Sequence, residues 1–149
     1  HIVFQRKANT WELYVNGTKQ DSYISNDSVF VTFQNPADMV FAKGEGTAEY
    51  LKGHLDDIAL YKTVLTSNQI SSLYNNGDLI NASEVNASNL KFYFELNDNV
   101  LDSTSNNLNA SNNGAERCRQ HILGLNFQKV VFLPFEGLCV VLCPWWQTI

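Results

Sequence analysis

Residues 53–61 read GHLDDIALY, and their adjacent carboxylates, Asp56 and Asp57, are the first groups in the chain with the makings of a site. In an extended strand successive side chains point to opposite faces. Asp57 then faces water, while Asp56 shares a face with Ile58 and Leu60. A carboxylate on an apolar face needs backbone N–H donors, a lysine or a bound cation. The same alternation separates the two carboxylates, so they cannot flank one bond as the paired acids of a glycosidase must. The sequence has no G-x-S-x-G elbow, no phosphate-binding loop and no H-E-x-x-H helix. The expectation is a protein that is not an enzyme.

Aromatic side chains are the second chemical feature. Tyr14, Tyr23, Tyr50 and Tyr93 fall on or near polar faces of their segments. An exposed ring meets the apolar face of a pyranose while Asn and Asp side chains take its hydroxyls; ordinary core packing is the competing explanation. Tyr14, Tyr50 and Tyr93 are the candidate ligand-binding residues. Trp11 alternates with Leu13 and Val15 and is read as core. In the tail, Cys118-x-x-His121 and Cys139-x-x-x-Cys143 offer zinc-type ligands, but the long gap has no knuckle pattern.

The totals limit the partners. The chain has 149 residues, 44% hydrophobic and 17% charged, with a formal net charge of −5. An acidic chain without a Lys/Arg cluster is a poor match for nucleic acid. Asparagine is the commonest residue, which suits a hydrated surface and sugar hydroxyls alike. No stretch is long and apolar enough for a membrane span; residues 122–146 come closest but are interrupted by Asn126, Gln128, Lys129, Pro134 and Glu136. None of the three cysteines lies in residues 1–117, so that part is not built on disulfides. Asn-x-Ser/Thr triplets begin at Asn16, Asn26, Asn81, Asn86 and Asn109, as chance allows in so Asn- and Ser-rich a chain. The opening run His1-Ile2-Val3-Phe4 reads as a strand entered part-way.

The elements that must position these groups follow from periodicity. Strands are expected at 2–6, 11–15, 18–22, 29–33, 39–42, 54–61 and 89–96. Asn16-Gly17 is a two-residue hairpin signal, because both residues accept positive φ. Thr66 and Gln69 form a capping box, with Leu65 and Ile70 as its hydrophobic staple, opening a short helix that is expected to end at Gly77. Residues 78–88 read as a polar linker and 97–114 as an Asn/Ser/Asp-rich loop. In 89–96, Leu90, Phe92, Phe94 and Leu96 face one way, and Lys91, Tyr93 and Glu95 the other. The composition shifts at 117–149, a tail read either as a lineage-specific end or as translation in another frame, with composition favouring the second.

Three motifs carry a resemblance. Trp11-Glu12-Leu13-Tyr14-Val15-Asn16-Gly17, Gly53-His54-Leu55-Asp56-Asp57-Ile58-Ala59-Leu60-Tyr61, and Leu65-Thr66 with Gln69-Ile70 and Leu73-Tyr74 resemble the C-terminal half of a laminin G-like, concanavalin A-like jelly-roll domain. Leu90-Lys91-Phe92-Tyr93-Phe94-Glu95 with Asp102-Ser103-Thr104-Ser105-Asn106 resembles the first strand and D-x-S-G-N turn of another such domain, Ser105 standing where glycine is usual. The resemblance implies an all-β antiparallel sandwich, a partial or permuted jelly roll with one short α-helix. Its parts would be residues 1–77 as the back of one module, 78–88 as linker, 89–116 as the front of a following repeat and 117–149 unassigned. It also implies that 89–96 pairs antiparallel with 53–61, and that calcium sits where the first and last strands meet, held by Asp56, Asp102 and Asp98. Glu45-x-x-x-Glu49 and Glu95-x-x-Asp98 do not match the E-x-D-x-x-E strand of laminarinase-like relatives. The function implied is non-catalytic binding of a carbohydrate or a surface protein, extracellular or surface-exposed; the alternative is a structural spacer repeat of an adhesin or phage fibre.

Overall fold

A computed structural model describes residues 1–24, 39, 41, 51, 55–78 and 80–112 and, as strand backbone, 138–143. The strand expected at 29–33, the loop at 43–46, Tyr50, Cys118 and His121 lie outside the described residues, as do residues 40 and 42 of the strand expected at 39–42.

The first three strands form a meander. β1 (Ile2–Lys7) pairs with β2 (Thr10–Val15), and β2 with β3 (Thr18–Ile24), all antiparallel. Asn16 and Gly17 close the second hairpin with φ of 49° and 75°, as their types demand. In β2–β3 the register slips between Leu13 and Tyr14: Leu13 stands opposite Asp21 and Tyr14 opposite Lys19, leaving Gln20 as an extra residue.

β4 (Asp56–Tyr61) leads into helix α1 (Ser67–Tyr74). The expected capping box is present: Thr66 Oγ1 accepts from the Gln69 N–H (3.2 Å), and Gln69 Oε1 accepts from the Thr66 N–H (2.9 Å). Leu65 and Ile70, the staple pair, are both buried. Thr66→Ala should lower the unfolding free energy by about 1 kcal/mol, read as a fall in the urea midpoint at unchanged slope. The helix stops earlier than expected. Asn75 takes the left-handed conformation (φ 40°, ψ 48°) and its N–H reaches the Ser71 carbonyl; Gly77 comes two residues later, in a tight turn. Asn tolerates this conformation well enough to serve as the cap.

Residues expected to be plain linker hold a second helix, α2 (Ala82–Asn86), capped by Asn81, whose Oδ1 accepts from the Ser83 N–H. Tyr61, fully buried in β4, donates its hydroxyl to the Ala82 carbonyl (2.6 Å) and so fixes where α2 begins. The chain then enters β5 (Leu90–Phe94).

β4 and β5 pair antiparallel, as expected for 53–61 and 89–96. One detail differs. The register slips between Leu60 and Tyr61: Leu60 stands opposite Phe92 but Tyr61 opposite Leu90, which leaves Lys91 without a cross-strand partner. The bulge turns Leu90 onto the face of Tyr93, away from Phe92 and Phe94. β6 (Leu138–Cys143), from the tail, runs antiparallel to both β1 and β4. The described strands therefore form one six-stranded sheet, ordered β3-β2-β1-β6-β4-β5, and part of the tail belongs to it. Cys139 and Cys143 fall on this one strand, their backbones about 13 Å apart.

Apolar clusters lie on both faces. One joins Val3, Tyr14, Ala59, Tyr61, Leu90 and Tyr93 to Leu65, Ile70, Leu73 and Ala82 of the helical side. The other joins Ile58, Leu60, Phe92 and Phe94 to Leu96 and Phe41, with the Phe92 and Phe94 rings stacked at 4.6 Å. A sheet with a core on each face is consistent with a β-sandwich, with two short helices where the sequence pointed to one.

Candidate binding face

On the helical face the meander carries a polar cluster. Gln5 is 3% exposed. Its Oε1 accepts from the Leu65 N–H (2.9 Å), and its Nε2 donates to the Leu65 carbonyl (3.2 Å) and to Glu12 Oε2 (2.8 Å). Lys19 bonds Glu12 Oε1 at 2.5 Å, and the Tyr14 hydroxyl donates to Glu12 Oε2 (3.2 Å). The Lys19 hydrogen bond first, and then that of Gln5, hold the Glu12 carboxyl below the ordinary carboxylate range. Sequence reasoning missed Gln5 because its partner is 60 positions away and no local pattern marks it.

Tyr14 and Tyr93 do not stand on a polar face. Each is 4% exposed within the helical-side core, because α1 and α2 cover that side of the sheet. Neither ring offers a surface to a ligand. The Tyr93 hydroxyl donates to Asp57, which is half-buried with φ of 50° at a bulge between β4 and β6. The expectation that Asp57 faces water is corrected accordingly: the bulge and the Tyr93 phenol hold it against the sheet. Asp56 is buried, with its backbone opposite Cys143, but the bulge between Asp56 and Ala59 breaks the alternation expected to set it on the face of Ile58 and Leu60.

The calcium set fits poorly. Asp102 is 8% exposed, and its carboxylate is already committed. Oδ1 accepts from the backbone N–H groups of Tyr93 (3.0 Å) and Thr104 (2.9 Å); Oδ2 accepts from Thr104 Oγ1 (2.8 Å) and the Leu108 N–H (2.9 Å). Four bonds occupy the lone-pair positions that a cation needs. Asp98 is exposed, with φ of 63°. Among the described residues no three His, Cys, Asp or Glu side chains are placed to hold a metal ion. Asp102 does structural work instead. With the Ser103 N–H, which donates to the Tyr93 carbonyl (2.8 Å), and Asn106, which donates to the Leu90 and Lys91 carbonyls, it covers the outer edge of β5.

The face of the meander turned away from the helices has another character. Cross-strand partners share a face, so Phe4 and Leu13, Arg6 and Trp11, and Trp11 and Tyr23 lie together there. Phe4 is 43% exposed and stacks on Trp11, with ring centroids 4.9 Å apart and planes at 21°. The Arg6 guanidinium lies 5.1 Å from the Trp11 ring centre. Tyr23 is 66% exposed. Trp11, read as core, is half-buried and, among the described residues, belongs to neither apolar cluster; its alternation with Leu13 and Val15 marks a shared face without saying what covers it. Phe4, which the sequence reading passed over, shares that face.

Among the described residues no helix is long and apolar enough to cross a membrane. Comparison with curated proteins and with solved structures gave no match. Residues 1–71, 71 of the chain's 149, match a laminin G-like family model described as the concanavalin A-like lectin/glucanases superfamily, and that is the family to which the meander, β4 and the start of α1 are similar.

Proposed function

We propose that this chain is a non-catalytic carbohydrate-binding module of an extracellular or surface-exposed repeat protein, and that the sugar lies on the meander face opposite the helices. The observation that carries the reading is the Phe4–Trp11 stack with Tyr23 opposite Trp11, on a segment similar to a lectin-containing superfamily. Flat rings at partial exposure offer an apolar platform to the axial C–H groups of a pyranose. Arg6 beside Trp11 and Asp21 opposite Leu13 supply polar groups at the platform's rim. Glycoside cleavage needs two carboxyl groups across one bond. Among the described residues the strands of this face present one, Asp21.

Electrophoresis through gels containing soluble polysaccharides tests the reading. Retardation is expected in at least one gel, and Tyr23→Ala should weaken it by about tenfold, the equivalent of about 1.4 kcal/mol. Tyr23 lies on the surface, so its loss leaves the core untouched. A chain that migrates freely in β-glucan, galactan, mannan and uronate gels alike is not a sugar binder.

A further inference from the structure

The dipeptide Asn-Gly occurs at 16–17, 76–77 and 113–114, the last outside the described residues. It is the pair most prone to a self-reaction of the backbone. The glycine main-chain nitrogen attacks the asparagine Cγ, a five-membered succinimide forms and ammonia leaves. Water then opens the ring at either carbonyl, giving aspartate or isoaspartate. Glycine favours the attack because it has no Cβ to obstruct it. The reaction needs the asparagine main chain to swing until that nitrogen reaches its own side chain, so a fold governs the rate by how firmly it holds the two residues.

The first pair is held firmly. Asn16 donates its N–H to the His1 carbonyl (2.8 Å), and its Oδ1 accepts from the His1 amino group (3.1 Å). The turn is closed by the paired residues Val15 and Thr18. Gly17 is pressed against α1: a methyl placed there would lie 3.2 Å from the Tyr74 ring and 3.4 Å from the Ser71 Cα. Moving this peptide requires opening the hairpin and lifting it from the helix.

The second pair is held loosely. Asn76 and Gly77 are both exposed, just beyond the last turn of α1, in no strand. Asn76 has φ 55° and ψ 24°, and Gly77 has φ 98°. A methyl at Gly77 would come only as near as 4.0 Å, to the Tyr74 hydroxyl. The bonds that span the pair are local and surface-exposed: Asn75 Nδ2 to the Asp78 carbonyl (2.9 Å) and the Asp78 N–H to the Asn75 carbonyl (3.1 Å). Opening this turn is a small local event.

We propose that Asn76 is a site of spontaneous conversion to aspartate and isoaspartate, and that the fold protects Asn16 from the same reaction. The product places a new carboxylate at the C-terminal end of α1, where the unpaired carbonyls of the last turn repel it. The isoaspartate form also adds a methylene to the main chain beside the left-handed Asn75 cap. Ageing would therefore lower the melting temperature through the α1 end.

The test uses the unmodified chain, held at physiological temperature and mildly alkaline pH, followed by peptide mapping with mass spectrometry and an isoaspartyl methyltransferase assay. The peptide containing Asn76 should gain one mass unit and accept methyl groups at least about tenfold faster than the peptide containing Asn16. In concentrated urea the two rates should converge, because only the fold separates them. Asn76→Gln, a change at an exposed position, should remove the fast signal from that peptide, mapped apart from the one containing Asn113. Equal rates at Asn16 and Asn76 in the folded protein, faster change at Asn16, or a fast signal in the residue-76 peptide that survives Asn76→Gln would each overturn the proposal.

Discussion

Asp102→Ala is expected to lower the unfolding free energy by about 3 kcal/mol, a fall in melting temperature of about 10 °C for a chain of this size. Alanine removes the acceptor for three backbone N–H groups, those of Tyr93, Thr104 and Leu108, and for the Thr104 hydroxyl. The Tyr93 N–H is the costly one, since that bond is buried and water cannot take the place of the carboxylate. Thr104 and Leu108 sit where solvent partly reaches, so their losses are smaller. Asp102→Asn should fall between: its oxygen still serves Tyr93 and Thr104, but its NH2 then meets the Leu108 N–H donor to donor. Thermal melts of the three proteins check the order. Calcium separates this account from the metal one. With the carboxylate saturated, added calcium should leave the melting temperature of the parent unchanged. A calcium-dependent rise that Asp102→Ala abolishes would return Asp102 to the role of ligand.

Gln5→Ala carries the second large effect, again about 3 kcal/mol. The Gln5 amide imitates a neighbouring strand: its oxygen takes the Leu65 N–H and its nitrogen serves the Leu65 carbonyl. Leu65 is itself 2% exposed, so both of its backbone groups are left unpaired in a dry place when the amide is removed. The same nitrogen also meets Glu12, so the change reaches the Glu12–Lys19 pair as well. That pair is surface-exposed enough to add little by itself. Hydrogen exchange gives the site-specific readout. The Leu65 amide, protected in the parent, should exchange far faster in Gln5→Ala, together with the first turn of α1 that Leu65 staples. A protected Leu65 amide and an unmoved melting temperature would show that the clamp contributes nothing.

Features decided by a few neighbouring residues were legible in the sequence. Thr66 and Gln69 are three positions apart, and their reciprocal bonds form wherever a helix starts there. Asn16-Gly17 closes its hairpin for the same reason: two adjacent residues accept positive φ where others resist it. The burial of Asp56 and the pairing of β4 with β5 were legible too, the second through resemblance and alternation together. Leu90 marks the edge of this reach. Its alternation with Phe92 is plain, yet one bulge against Tyr61 moves it to the other face, and a bulge depends on the partner strand.

The sequence by itself determined the local moves of this chain: where a helix is capped, where a hairpin turns, and which residues of a strand share a side. Tertiary structure alone decided what each side meets. Tyr14 and Tyr93 are covered because α1 and α2 fold over them, while Phe4 and Tyr23 stay exposed on the far face of the meander. Asp102 serves Tyr93, nine residues back, and Gln5 serves Leu65, sixty residues on. The physical reason is one of range. Backbone sterics and capping act over a few bonds and are written into adjacent residue types. Burial and hydrogen-bond satisfaction depend on segments brought together only when the sheet closes.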